Sequence, residues 1–225
     1  MSSKTEYKKA KLLKLARCRK ETRLDGYACI GDFHNGVYEC DHVSPITKTA
    51  GNVNADIIVV LQDWASADSL SATPPDCDSI KYGYTPSLPT NRNLDCLLDR
   101  YFELKRAECY LTNLFPFVKG GDMSARIKWR DLVTCAKKFT LPEIKIVDPK
   151  MVICLGLSTF LALRHAAGKP GHMKFPEAIN TSFFVGNACV RCVPHTGARG
   201  TNNRGRDQIK RDWENLATIY KNRES

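Results

Sequence analysis

"ADIIVVLQDWASADSL", residues 55–70, opens with an unbroken apolar run from Ile57 to Leu61, then turns polar at Gln62 and Asp63. A short β-branched run without polar alternation is the pattern of a strand buried on both faces, as in parallel sheets covered by helices. "ECYLTNLFPF" (108–117) and "PKMVICLG" (149–156) repeat it, and "SFFVGNACVRCVPH" (182–195) reads as a Gly-Asn hairpin or two short strands. Helical spacing fills the gaps. "NLDCLLDRYFELK" carries Leu94, Leu97, Leu98, Tyr101 and Lys105 behind Asn93 as a cap, and "WRDLVTCAKKF" aligns Trp129, Leu132, Val133, Ala136 and Phe139. "STFLALRHAA" follows Gly156, and "RDQIKRDWENLATIY" turns Ile209, Trp213, Leu216 and Tyr220 inward. This alternation predicts an α/β fold, a three-layer α/β/α domain around a central, mainly parallel four-stranded sheet.

At 225 residues and 43% hydrophobic, the chain is long enough for one full core. The expected division is a basic N-terminal arm with a Cys- and His-bearing stretch over residues 1–45, then an α/β domain over 46–225. No run of eighteen apolar residues and no secretion-signal pattern is present, so the reading expects no membrane partner and a cytoplasmic monomer. The net charge of +10 is unevenly placed: residues 1–23 hold nine Lys or Arg against two Glu, and residues 191–225 hold eight against four acids. A near-neutral centre with basic ends suits a scaffold that meets a polyanion such as DNA; a solvated basic helix accounts for the N-terminal charge equally well.

In such folds ligands meet the carboxyl ends of the strands. The first strand ends at Gln62, Asp63 and Trp64, the second at Thr112, Asn113 and Phe115, the third at Gly156, and the last at Pro194 and His195, followed by "TGARGTNNRGR". Singly, Asp63 fits a cap, Asn113 a turn and His195 a surface histidine. Together they set an Asp, an Asn and a His at one rim.

These segments resemble, in order and spacing, the uracil-DNA glycosylase superfamily. "VLQDWAS" is similar to the family's Gly-Gln-Asp-Pro-Tyr type motif, "CYLTNLFPF" to its Asn-bearing strand, "VDPKMVICLGLSTFLAL" to its next strand-helix unit, and "VPHTGARG" to its His-Pro-Ser type motif. The resemblance covers about residues 55 to 220. It implies a uracil-DNA glycosylase-like fold and a monofunctional DNA glycosylase that flips a pyrimidine nucleotide and hydrolyses its N-glycosidic bond. Asp63 takes the place of the catalytic carboxylate, His195 that of the leaving-group donor, and Asn113 that of the base reader. Gln62, Trp64, Ala65, Tyr84 and Phe115 surround the base, with Trp64, Tyr82 or Tyr84 stacking on it. Arg199 stands where relatives place the side chain that enters the duplex, and Gly200, Arg204 and Arg206 would meet the strand. The chemistry requires these types: a carboxylate answers positive charge on the sugar, and a donor answers negative charge on the departing base.

Uracil-specific relatives carry Tyr two residues after the Asp, where this chain has Ala65. The missing bulk points to a 5-modified pyrimidine, such as an enlarged cytosine in phage DNA, with uracil repair or a non-catalytic nucleic-acid-binding module as alternatives. No lysine is expected at a strand end, which predicts an abasic product without strand cleavage. The ten cysteines read as buried thiols. Cys18, Cys29 and Cys40 lack the tight spacing of zinc or iron-sulfur ligands, Cys135 matches a single cluster position of some relatives, and a strand would point Cys189 and Cys192 to opposite faces. No cofactor is therefore expected.

Overall fold

A computed structural model describes residues 3–223, Arg199 by its backbone alone. Five strands form one sheet: β1 (Ile57–Asp63), β2 (Tyr110–Phe115), β3 (Met151–Leu155), β4 (Ser182–Val185) and β5 (Ala188–Val193). The order is β2-β1-β3-β5-β4. All neighbours run parallel except the β4-β5 pair. The sheet thus has five strands rather than the expected four, because both arms of the Gly186-Asn187 hairpin pair. Gly186, at φ +58, permits the two-residue turn, and Phe183 and Val185 bury one face of β4.

Alternation along the strands divides the core in two. Ile58, Val60, Val152, Cys154, Val190 and Cys192 face one layer, closed by Leu132, Phe139, Phe160 and Leu163. Ile57, Val59, Leu61, Leu111, Ile153, Leu155 and Val193 face the other, closed by Leu94 and Leu98 of the helix Pro89–Phe102 and by Trp213 and Leu216 of Arg206–Lys221. Trp129, expected on an apolar face, is 46% exposed. The Pro89–Phe102 helix begins four residues before the expected Asn93 cap, since Pro89 at its start needs no amide partner. Asn93 lies within it and donates to the Thr196 carbonyl at 2.8 Å.

The first 45 residues pack onto this body. Lys8 of the helix Ser3–Glu21 donates to the carbonyls of Val53 and Val147 at 3.1 and 2.7 Å. Arg19, fully buried, grips Glu39 through two bonds of 2.8 and 2.6 Å and also reaches the carbonyls of Cys40 and His42. Part of the N-terminal positive charge is therefore internal. Among the described residues no helix is long and apolar enough to cross a membrane.

One buried acid sits beneath the sheet. Glu143 accepts from Tyr110 at 2.8 Å and from Thr112 at 2.9 Å, and its burial pushes its carboxyl up to about 8 despite these hydrogen bonds. The folded state holds a proton that the unfolded chain, with an ordinary glutamate pKa of about 4.5, gives up. This site's contribution is therefore fully present below about pH 4.5 and is lost progressively as pH rises from there through about 8. Glu143→Gln keeps the acceptor oxygen and removes the ionisation. It should stabilise the protein at pH 8 relative to pH 5 by on the order of a few kcal/mol, read as a flattened plot of Tm against pH. An unchanged slope would refute this.

Candidate active site

Period-two alternation builds the site. Asp63 continues the Ile57, Val59, Leu61 series, Asn113 pairs in register with Leu61, and His195 lies two residues beyond Val193. One carboxylate, one amide and one imidazole thus extend the same face of the sheet at the carboxyl ends of three parallel strands.

Asp63 is nearly enclosed, its side chain 8% exposed. Gln62 Nε2 donates to its Oδ1 at 3.0 Å, so the Gln steadies the carboxylate. The expectation of no lysine at a strand end is overturned here: Lys119 Nζ stands 2.8 Å from Asp63 Oδ2, its own side chain 4% exposed. The angle of this ion pair leaves Oδ2 without an aligned hydrogen-bond donor, although the charges are in contact. Lys119 arrives because the chain beyond β2 continues as an extended segment. Val118 bridges Ala28, Lys119 bridges Ser66, and the Ala67 amide donates to the Lys119 carbonyl at 2.8 Å.

Asn113 is buried. Its Oδ1 accepts from Ser44 at 2.6 Å, while its Nδ2 is buried without a partner. An orphaned amide donor costs roughly 1–3 kcal/mol, which makes it a ready group for a ligand's acceptor. Sequence reasoning missed Ser44, because nothing in "DHVSPI" points to a residue 69 positions away.

His195 Nδ1 accepts the Gly197 amide at 3.0 Å, so in the neutral ring Nε2 carries the proton. Burial lowers its pKa, opposed by the nearby Asp63 carboxylate, and the ring is neutral at physiological pH. Thr196 donates to the Thr90 carbonyl at 2.9 Å, which with Asn93 ties this turn to the Pro89–Phe102 helix.

The remaining candidates are distributed differently. Trp64 donates its indole N–H to the Gly83 carbonyl at 2.8 Å and meets Tyr38 edge-on, with centroids 5.7 Å apart. Tyr84 carries the Arg106 guanidinium 3.9 Å above its ring, and Tyr82 lies 6.4 Å away. Phe115 is fully buried, with the Tyr27 ring 4.7 Å from its own. Ala65 packs in a cluster with Ile30, Tyr38, Leu70 and Val118, so residues of the N-terminal stretch stand beside it. Arg204 is engaged by Asp212 through bonds of 2.8 and 2.9 Å, with its side chain still 24% exposed. Arg206 is exposed at the start of the last helix, whereas the Arg199 side chain lies outside the described atoms. Gly200 has a steric role, since a Cβ there would lie 1.9 Å from the His195 carbonyl oxygen.

Burial raises the thiols of Cys29 and Cys40, and pushes those of Cys135 and Cys192 up to about 12, so these sulfurs are protonated. Among the described residues no three His, Cys, Asp or Glu side chains gather in a metal-holding group. Set beside known proteins, the chain matches no protein-family model and no curated protein sequence.

Proposed function

We propose that this protein is a DNA glycosylase, related to the uracil-DNA glycosylase superfamily, that hydrolyses the N-glycosidic bond of a flipped pyrimidine nucleotide. The observation that carries this reading is the placement of Asp63, Asn113 and His195 on one face at three strand ends, with a buried unpartnered amide donor on Asn113. A base within a duplex cannot reach so enclosed a carboxylate, so the nucleotide must leave the stack. In the site, Asn113 Nδ2 donates to an acceptor on the pyrimidine edge, and Ser44 fixes the amide plane. As the bond to the base lengthens, positive charge grows on the sugar and the Asp63 carboxylate stabilises it and orients the attacking water. His195, neutral with its proton on Nε2, donates to the base oxygen on which negative charge collects. Because donation begins from the neutral imidazole, it does not require acid pH.

The pyrimidine class follows from the Asn113 edge reader and from the resemblance. Ile30 and Tyr38 share a cluster with Ala65, so its small size alone does not set the room at the base's C5 position. Substrate size is therefore decided by assay. Duplex and single-stranded DNAs containing uracil, a G·T mismatch, 5-hydroxymethylcytosine or its glucosylated form should be incubated with the protein and free base detected. Release of a pyrimidine from at least one is expected; intact bases in all of them would sink the reading.

A further inference from the structure

We infer that Lys119 is an imine-forming nucleophile that acts after base release, giving the site a second activity, cleavage of the strand at the abasic sugar. The inference rests on the glycosylase reading above and concerns the same site. Its ground is the one buried pair that a carboxylate-only mechanism leaves unused. Lys119 Nζ lies 2.8 Å from Asp63 Oδ2, and both side chains are more than nine-tenths enclosed. If Asp63 lies against C1′ of the sugar, an amine in contact with it lies within roughly 5 Å of the same carbon, so a swing of about 2 Å by the lysine's flexible end brings it to the attack distance of roughly 3–3.5 Å. The position is built into the fold, because the backbone of Lys119 is locked to Ser66 and Ala67, and its ammonium is steadied by the Met123 carbonyl at 2.6 Å.

The chemistry balances with the groups present. Once the base has departed, the abasic sugar opens to an aldehyde at C1′. Lys119 passes one proton to Asp63 Oδ2 and its free amine adds to C1′; water leaves and a carbon-nitrogen double bond forms. Loss of a proton from C2′ expels the 3′ phosphate, which breaks the strand. Water then hydrolyses the imine, restoring the lysine and releasing an unsaturated aldehyde. No oxidant or reductant is required. A lysine serves here where an arginine cannot, since only the amine has a nucleophilic neutral form.

The test uses the full chain and a duplex with a single preformed abasic site, with sodium borohydride added to reduce any imine to a stable amine. A covalent protein-DNA adduct is expected, mapping by peptide mass spectrometry to Lys119 and lost in Lys119→Arg. Mapping on the wild-type protein keeps the answer independent of how well the variant folds. No adduct, or an adduct confined to other amines, overturns the inference. Free-base release from modified DNA, scored in parallel, separates the two readings: release without a Lys119 adduct leaves the glycosylase standing alone, and an adduct without release leaves only the lysine chemistry.

Discussion

Asp63→Asn should lower the rate of base release by about a thousandfold or more, because the amide cannot answer the positive charge developing on the sugar. The same change should also destabilise the protein, which a purely exposed catalytic residue would not do. Lys119 would be left as an unpaired ammonium in a nearly sealed site. Breaking one partner of such a pair costs about 3–5 kcal/mol, or roughly ten degrees of Tm for a chain of this length. Adding Lys119→Met to Asp63→Asn removes the stranded charge, so the double variant should regain most of the lost Tm while base release stays abolished. Calorimetry and a free-base assay on the two variants check both halves. Retention of wild-type turnover by Asp63→Asn would exclude the carboxylate from the chemistry.

Gly200→Ala should be nearly as damaging to turnover, for a steric reason. The added methyl would meet the His195 carbonyl oxygen at 1.9 Å and its carbonyl carbon at 2.8 Å, both backbone atoms that cannot swing aside. The turn must shift, taking the imidazole with it, and a displacement near 1 Å costs on the order of a hundredfold in rate. Stability should change far less, since the strain falls between the short helix Ala198–Arg204 and the His195 turn, outside both cores. If Gly200 served only to let a phosphate approach, the substitution would weaken DNA affinity with turnover at saturating DNA preserved. The expected pattern is the opposite.

The fold was legible where burial is two-sided. The runs of β1 and β3 announce themselves because no polar residue interrupts their apolar stretch, β2 does so with only Thr112 and Asn113 among apolar residues, and these strands led directly to Asp63 and Asn113; His195 follows from the same rule applied to β5. What escaped lies in segments without periodicity. Lys119 sits four residues past β2 in "PFVKGG", and its partner is distant in sequence, so only the tertiary route of that segment places an ammonium on Asp63. Arg204 and Asp212 are eight residues apart, about two turns in a continuous helix, and meet only because the chain turns at Gly205 between two helices, which no helical pairing pattern reveals. Ala65 shows the limit of reading by analogy: the substitution of a large residue by a small one was visible, but not the N-terminal residues packed beside it.

Ser44, Asp63, Asn113 and His195 are contributed by four separated stretches of chain, and the sheet order interleaves them: β1 lies between β2 and β3, and β5 reaches the other parallel strands through β3. Contacts of such long sequence separation form late, after loop closure has been overcome. During synthesis the segment that clamps Asn113 emerges first and has nothing to hold until β2 arrives, and no donor for the leaving base exists until β5 has docked. On the proposed glycosylase reading, base release would be an all-or-none reporter of the finished fold. Partly folded chains would be silent in the assay, so the recovery of turnover on refolding should trail the recovery of helical signal.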